Sequence, residues 1–315
     1  MALKRRNFIL AVISSVAAAA AAASVALAQA PAPEGRADGS AARTPASIPD
    51  FTGAIWAHPM LGFEPPLSGP GPVVNKRRTP TGTSNTAMLV GDYTNPILKP
   101  AAAEIVKKRG EISQSGLAFP DPDSMCMYEP VPYIFWNFEI QMLQRPEKVT
   151  ILYNHDHEFR QVRMNQSHPA QVVPSAHGDS VGHYEGDTLV IDTVGIKVGR
   201  YSMVDWYGTP HTEALHVVER YRMLDPAAAK EGFERDAKQH NVAQGMRNPN
   251  DRGKYLQLQF TVEDKGVFAM PWTATMTYGN GGTGAADWAE QACAENILWF
   301  PGQDADVPRA DKPDF

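Results

Sequence analysis

Short runs in which apolar and polar residues alternate dominate the chain after residue 133. In 256–262 (LQLQFTV) the apolar side chains fall on one parity and the polar ones on the other, the period of a half-buried strand. In 215–223 (LHVVERYRM) Leu215, Val217, Tyr221 and Met223 share a face, with Glu219 among them. Further runs rich in branched and aromatic residues are 133–140, 149–153, 159–164, 180–184, 188–192 and 272–278, the composition that suits a pleated surface. The polar run 154–158 (NHDHE) reads as a hairpin loop, and Glu185-Gly186-Asp187 as a tight turn.

These make about eight strands with short connections and no strand–helix–strand rhythm. The expected fold is mostly β: an antiparallel barrel, lipocalin-like or calycin-like, or a two-sheet sandwich. The barrel is preferred, because closure removes the sheet edges and leaves an interior for a ligand. Residues 51–100 are interrupted by prolines and glycines and should wrap a core built elsewhere. A short helix is predicted at 100–111, with Pro100 at its first position and Gly110 as its stop. Residues 226–253 read as an inserted helical or mobile loop, and 301–315 as a polar tail. The core domain is thus expected as one β-rich unit over 51–300.

Ahead of it stand a basic start (Lys4, Arg5, Arg6), an apolar run over 8–28 and an Ala-Leu-Ala-Gln-Ala ending. That order is a secretory signal peptide, placed at 1–30. The run is long enough for a membrane anchor, but its small-residue ending favours cleavage. Arg5-Arg6-Asn7-Phe8-Ile9 also resembles a twin-arginine signal, so the Sec and twin-arginine routes both stay open to a periplasmic or secreted destination. Residues 31–50, rich in Pro, Ala, Gly and Ser, read as a disordered tether.

Removing the leader takes 29 basic against 35 acidic residues to 26 against 35, a net charge of −9. Such a chain is a poor partner for nucleic acid or anionic membranes. Its expected partner is a small molecule. Two cysteines, Cys126 and Cys293, invite a disulfide in an oxidising compartment. A loop of that length would stabilise by roughly 4–5 kcal/mol. The alternative is two separate buried thiols.

Several segments together resemble a family. Residues 177–195 (HGDSVGHYEGDTLVIDTVG) resemble the GxSxGxWEGDTLVVDTxG signature of a large, uncharacterised family of secreted bacterial proteins. Residues 49–56 (PDFTGAIW) resemble its opening, 217–221 (VVERY), 261–264 with Pro271-Trp272 its middle, and 290–296 (EQACAEN) its close. The resemblance implies a shared fold and an extracytoplasmic setting, and no particular reaction. Tyr184 stands where the signature has Trp, and 226–253 is longer than the family's connection.

Seven of nine histidines, His155, His157, His168, His177, His183, His211 and His216, fall within 62 residues. Histidine titrates near neutral pH and serves as acid, base or metal ligand. One expectation is that His157, His183 and His211 converge with Arg160, Asp179, Glu213 and Glu219 at one barrel end. There a histidine would move a proton, a carboxylate would set its tautomer, and Arg160 would hold a substrate oxygen. Glu158, Glu185 and Asp205 lie in the same region. The competing expectation for Glu219, a carboxylate on a core-facing parity, is a buried ion pair with Arg160. Trp136, Tyr153, Tyr184, Trp206, Tyr221 and Trp272 are candidates to line a pocket for a flat or apolar ligand. A cofactor is not required by this scheme. The alternative is a divalent metal such as zinc on His155 and His157, an H-x-H pair. Ser180 lies in a partial G-x-S-x-G context, but a strand follows where the nucleophile elbow needs a helix.

The function expected from these residues is cofactor-independent acid–base chemistry on a small apolar or aromatic substrate, by a lyase, isomerase or hydrolase. The rivals are a non-catalytic periplasmic carrier of an apolar ligand, and a metal-dependent enzyme or metal binder.

Overall fold

The computed structural model of the chain describes residues 48–58, 62–85, 88–117, 119–136, 139–154, 158–240 and 253–280. The leader, most of the tether, His155, His157, residues 241–252 and everything after 280 lie outside them. Cys126 is not a free thiol. Its expected partner Cys293, and with it the pairing, also falls outside.

Among the described residues nine strands form a closed barrel in sequence order. They are β1 (Trp56–Ala57), β2 (Glu139–Arg145), β3 (Lys148–Tyr153), β4 (Phe159–Met164), β5 (Asp179–Glu185), β6 (Thr188–Val194), β7 (His216–Leu224), β8 (Tyr255–Glu263) and β9 (Trp272–Asn280). The barrel, and not the sandwich, is the outcome. The alternation that predicted the strands sets what faces the lumen. On β8, Leu256, Leu258, Phe260 and Val262 point inward and are buried, as are Val217, Glu219 and Tyr221 on β7. A fully buried side chain of this size contributes about 1.5–3 kcal/mol.

Three features depart from the expected pattern. First, β4 and β5 run parallel, with Val162 opposite Ser180 and Met164 opposite Gly182. The connection 165–178 therefore returns from one rim to the other, and we call it the strap. Second, the barrel closes through Trp56–Ala57, which pairs with both β2 and β9. This two-residue strand sits in a Pro/Gly-rich stretch with no legible alternation. Third, the aromatic run 133–140 is not one strand. Tyr133–Trp136 is a 3-10 turn with all four side chains buried, and β2 begins only at Glu139. A strand sends alternate side chains to opposite faces; four consecutive buried ones need a plug. Phe135 meets Phe260 edge-on (5.1 Å), and Trp136 stacks on Trp206 (4.6 Å) and meets Phe63 (5.1 Å). These rings fill the rim where β3 ends and β4 begins.

At the opposite rim Gln144 accepts the Phe51 N–H (2.6 Å) and donates to Pro49 O (2.9 Å) and Tyr184 Oη (2.7 Å). Helix α1 (Pro100–Gln114) starts at the predicted proline but passes Gly110 and is capped by Ser115. Gly110 is a contact residue and not a stop: a Cβ there would lie 2.9 Å from Val90 Cγ1. The 226–253 insertion begins as helix α2 (Pro226–His240), packed on the outside of β8 and β9 with Gly232 against Thr277. That cover at Thr277, together with Glu64 bridging to Thr275, buries β9 on both faces.

Gly182 makes the parallel joint possible. A Cβ at this position would meet Val162 Cγ1 at 2.8 Å and Met164 Sδ at 3.1 Å. Gly182→Ala should lower the unfolding free energy in urea by about 1–3 kcal/mol through overpacking. An unchanged midpoint would show that Val162 and Met164 give way freely.

Candidate functional site

The lumen has a polar column at its plugged rim. Arg160 shares the parity of Val162 and Met164 and so points inward from β4. Glu219 points inward from β7. The two meet in a bidentate pair, Nη1 to Oε1 at 2.7 Å and Nη2 to Oε2 at 2.6 Å. They are 2% and 0% exposed. Tyr221 Oη–H donates to Glu219 Oε2 (3.0 Å), and the guanidinium lies 5.7 Å from the centre of the Phe135 ring. Burial alone would pull Arg160 down, but Glu219 holds it above its ordinary value. Tyr153, the lumen residue diagonal to Arg160, is pushed up by burial, an effect Arg160 partly offsets. Burial also raises Tyr221 and Tyr278. All three phenols therefore keep their protons at neutral pH. Tyr153 Oη and Arg160 Nε are buried with no hydrogen-bond partner among the described residues.

Above this column sits a histidine–carboxylate dyad. Glu158 precedes β4 on the lumen parity, and its carbonyl accepts the Tyr153 N–H (2.8 Å). Its carboxylate Oε1 accepts the Glu129 backbone N–H (3.0 Å), and Oε2 lies 2.5 Å from His177 Nε2. His177 stands on the turn that ends the strap. Ser175 Oγ donates to Gly178 O (3.1 Å) there, and Gly178 adopts φ +68°. The Glu158 contact assigns the ring proton to Nε2 and leaves Nδ1 as the basic nitrogen. The His177 side chain is 14% exposed. Its ring centre lies 6.3 Å from that of Tyr153, tilted by 34°, and 6.3 Å from the exposed Tyr128, edge-on. The arrangement can abstract a proton from a bound molecule and keep the resulting imidazolium beside a carboxylate.

The expected constellation only partly assembles. Arg160 and Glu219 come together, in the ion pair that was the competing reading. His183 is on the outer face near the other rim, exposed, with Glu185 at 3.0 Å, which also takes Arg220 (2.7 Å). Its parity in β5 points it away from the lumen. Asp179 is also outward. Both its oxygens accept from the single Nη2 of Arg163 (2.7 and 2.9 Å), and Oδ1 also contacts His168 Nδ1 (2.6 Å). His168 Nε2 and His216 Nε2 both reach Asp192 Oδ1, at 2.9 and 3.1 Å. This network pins the strap to the barrel wall.

His211 is buried, with Nδ1 3.2 Å from Thr212 O, Nε2 without a partner among the described residues, and its pKa lowered by burial. Glu213 is exposed and lines an open groove of about 690 Å³ with Val172, Pro174, Val194, Ile196 and Val198. Trp136, Trp206 and Trp272 belong to the plug and core, and Tyr184 to the opposite rim. Only Tyr153 and Tyr221 of the six aromatics border the polar column. Ser180 Oγ is buried 3.0 Å from Thr193 Oγ1 and is not a nucleophile facing a base. Asp205 is pushed up to about 6 by burial, but its Oδ1 accepts the N–H groups of Tyr207 and Thr209 and so serves one turn. His155 and His157 lie outside the described residues. Among those residues no three His, Cys, Asp or Glu side chains are grouped to hold a metal.

The residues this reading missed are Glu158 and His177 as a pair. Glu158 carried a signal, since it shares the parity of Arg160. His177 opens the signature segment but lies in a turn, where no periodicity could aim it. In comparisons with known proteins, no protein family, curated protein or solved structure matches the chain.

Two outcomes follow from the charges. Glu219→Ala leaves Arg160 buried and unpaired and should cost about 3–5 kcal/mol in urea unfolding. The double change Arg160→Met with Glu219→Leu should recover much of that loss; equal losses would rule out the pair as the cause. The Asp192 hydrogen bond raises His216 above its ordinary 6.5, and bonds from His216 and His168 lower Asp192 below its ordinary 3.8. A raised base stabilises below its unfolded value and loses this as pH climbs through the folded one. A depressed acid stabilises above its unfolded value and loses this as pH falls. The Tm difference between the unaltered chain and His216→Gln should thus be largest between pH 3.8 and 6.5 and fade above neutrality. A difference flat in pH would contradict the linkage.

Proposed function

We propose that this chain is an extracytoplasmic enzyme that moves protons on a small organic substrate, as a lyase or isomerase, with His177 as the base. The Glu158–His177 dyad, its imidazole ring centre 6.3 Å from that of Tyr153, carries the reading. Glu158 fixes the tautomer and stabilises the imidazolium; the rings of Tyr153 and Tyr128 flank the base. Tyr128 and Met127 are 73% and 54% exposed beside it, which suits an apolar or aromatic substrate. The scheme calls on no cofactor. Hydrolysis through Ser180 is disfavoured by that hydroxyl's burial.

The setting belongs to the same proposal. The basic start and apolar run argue for export, periplasmic or secreted, and the likeness to a family of secreted proteins agrees with it. A Cys126–Cys293 bridge would fit an oxidising compartment. The rival, a carrier of an apolar ligand, draws on the groove beside Val172 and Ile196.

The test is deuterium exchange at carbons next to the carbonyl in a panel of small aromatic ketones, followed by NMR in D₂O. His177→Gln should slow exchange by roughly 10²–10⁴-fold while Tm stays within a few degrees. Undiminished exchange in His177→Gln would remove the dyad from the chemistry.

A further inference from the structure

We infer that the Tyr153 hydroxyl is the donor that receives the substrate's oxygen, and that the substrate class is an enolisable carbonyl compound. The inference rests on the dyad reading and deepens it. Tyr153 is 1% exposed, and its hydroxyl has no partner among the described residues. A buried hydroxyl in that condition costs stability, and phenylalanine would fill the same space without the cost. The fold thus gives the ring a packing role and the oxygen none. In native proteins each such orphan asks for a reason, a bound molecule among them.

Its surroundings say what kind of molecule. Tyr153 lies between the base above and Arg160 on the adjoining strand β4, which is paired across the lumen with Glu219 and whose Nε is also buried without a partner among the described residues. Both orphans are donors, and neither can lose its proton near neutrality. A ligand satisfying them presents an acceptor oxygen. Since Glu219 already neutralises Arg160, a neutral carbonyl fits better than a permanent anion.

The step balances with these groups alone. His177 Nδ1 takes the proton from the carbon next to the carbonyl. The C–H electron pair becomes the new C=C bond, and the carbonyl π pair moves onto oxygen. Tyr153 Oη–H donates its hydrogen bond to that oxygen as charge builds, which is where a preorganised donor acts most strongly. Return of the proton from His177 to another carbon completes an isomerisation.

Tyr153→Phe provides the test, with 4-nitrophenolate as an enolate mimic whose absorbance reports binding. The variant should unfold at an equal or higher urea concentration, bind 4-nitrophenolate at least about tenfold more weakly, and exchange ketone protons about a hundredfold more slowly. A structural hydroxyl would behave in the opposite way: Tyr153→Phe would lose stability or fail to fold, and nitrophenolate affinity would hold. No binding of nitrophenolate by the unaltered chain would also overturn the inference. If His177→Gln abolishes exchange while Tyr153→Phe does not, the donor role fails and the dyad stands. If Tyr153→Phe weakens nitrophenolate while His177→Gln leaves exchange intact, the dyad fails and the donor stands.

Discussion

The buried pair between Arg160 and Glu219 is the constraint around which the barrel is arranged. It joins β4 to β7 across the lumen, two strands that are not neighbours in the sheet. Neither charge has access to water, so each depends on the other for its solvation. Such pairs are seldom a gain in stability over apolar residues of the same size. What this one does is fix orientation. It places a guanidinium of set direction beneath the plugged rim, and it sets the polarity in which Tyr153, Tyr221 and Tyr278 sit. An all-aliphatic lumen would hold the strands together equally well and offer a substrate nothing to bind.

Period-two alternation made the lumen legible. It put Glu219 among core residues, and from that followed its need for a partner. It also marked β8 and the β5–β6 hairpin. The parts that escaped are those where side-chain parity carries no information. Trp56–Ala57 is too short to show a period. Tyr133–Trp136 is apolar at every position, which a strand buried on both faces would also be. The parallel step hides in the strap, whose polar, irregular sequence reads as ordinary loop.

The candidate site was half legible for the same reason. Arg160, Glu219, Tyr153 and Tyr221 could be aimed because they lie in strands. His183 lies in a strand too, and its parity already points outward; clustering in sequence was given more weight than that parity. His177 and Glu158 lie just outside strands, where only three-dimensional contact shows that they meet. Density of histidines along the chain proved a weaker guide than the direction in which each one points.

The single parallel step has a topological origin that ties these observations together. Going once round a closed barrel, each antiparallel neighbour reverses the chain direction, and the direction must return to its starting sense. A ring with only antiparallel neighbours therefore needs an even number of strands. This one has nine, with β1 antiparallel to β9, so an odd number of parallel contacts is compulsory, and β4–β5 is the one the chain uses. Parallel neighbours cannot be joined by a hairpin; they require a crossing of about a dozen residues or more. The odd strand count thus obliges the chain to cross the barrel wall with 165–178, and the candidate base stands where that crossing ends. Adding or removing one strand would make the crossing unnecessary, and a simple hairpin in its place would have nowhere to carry His177.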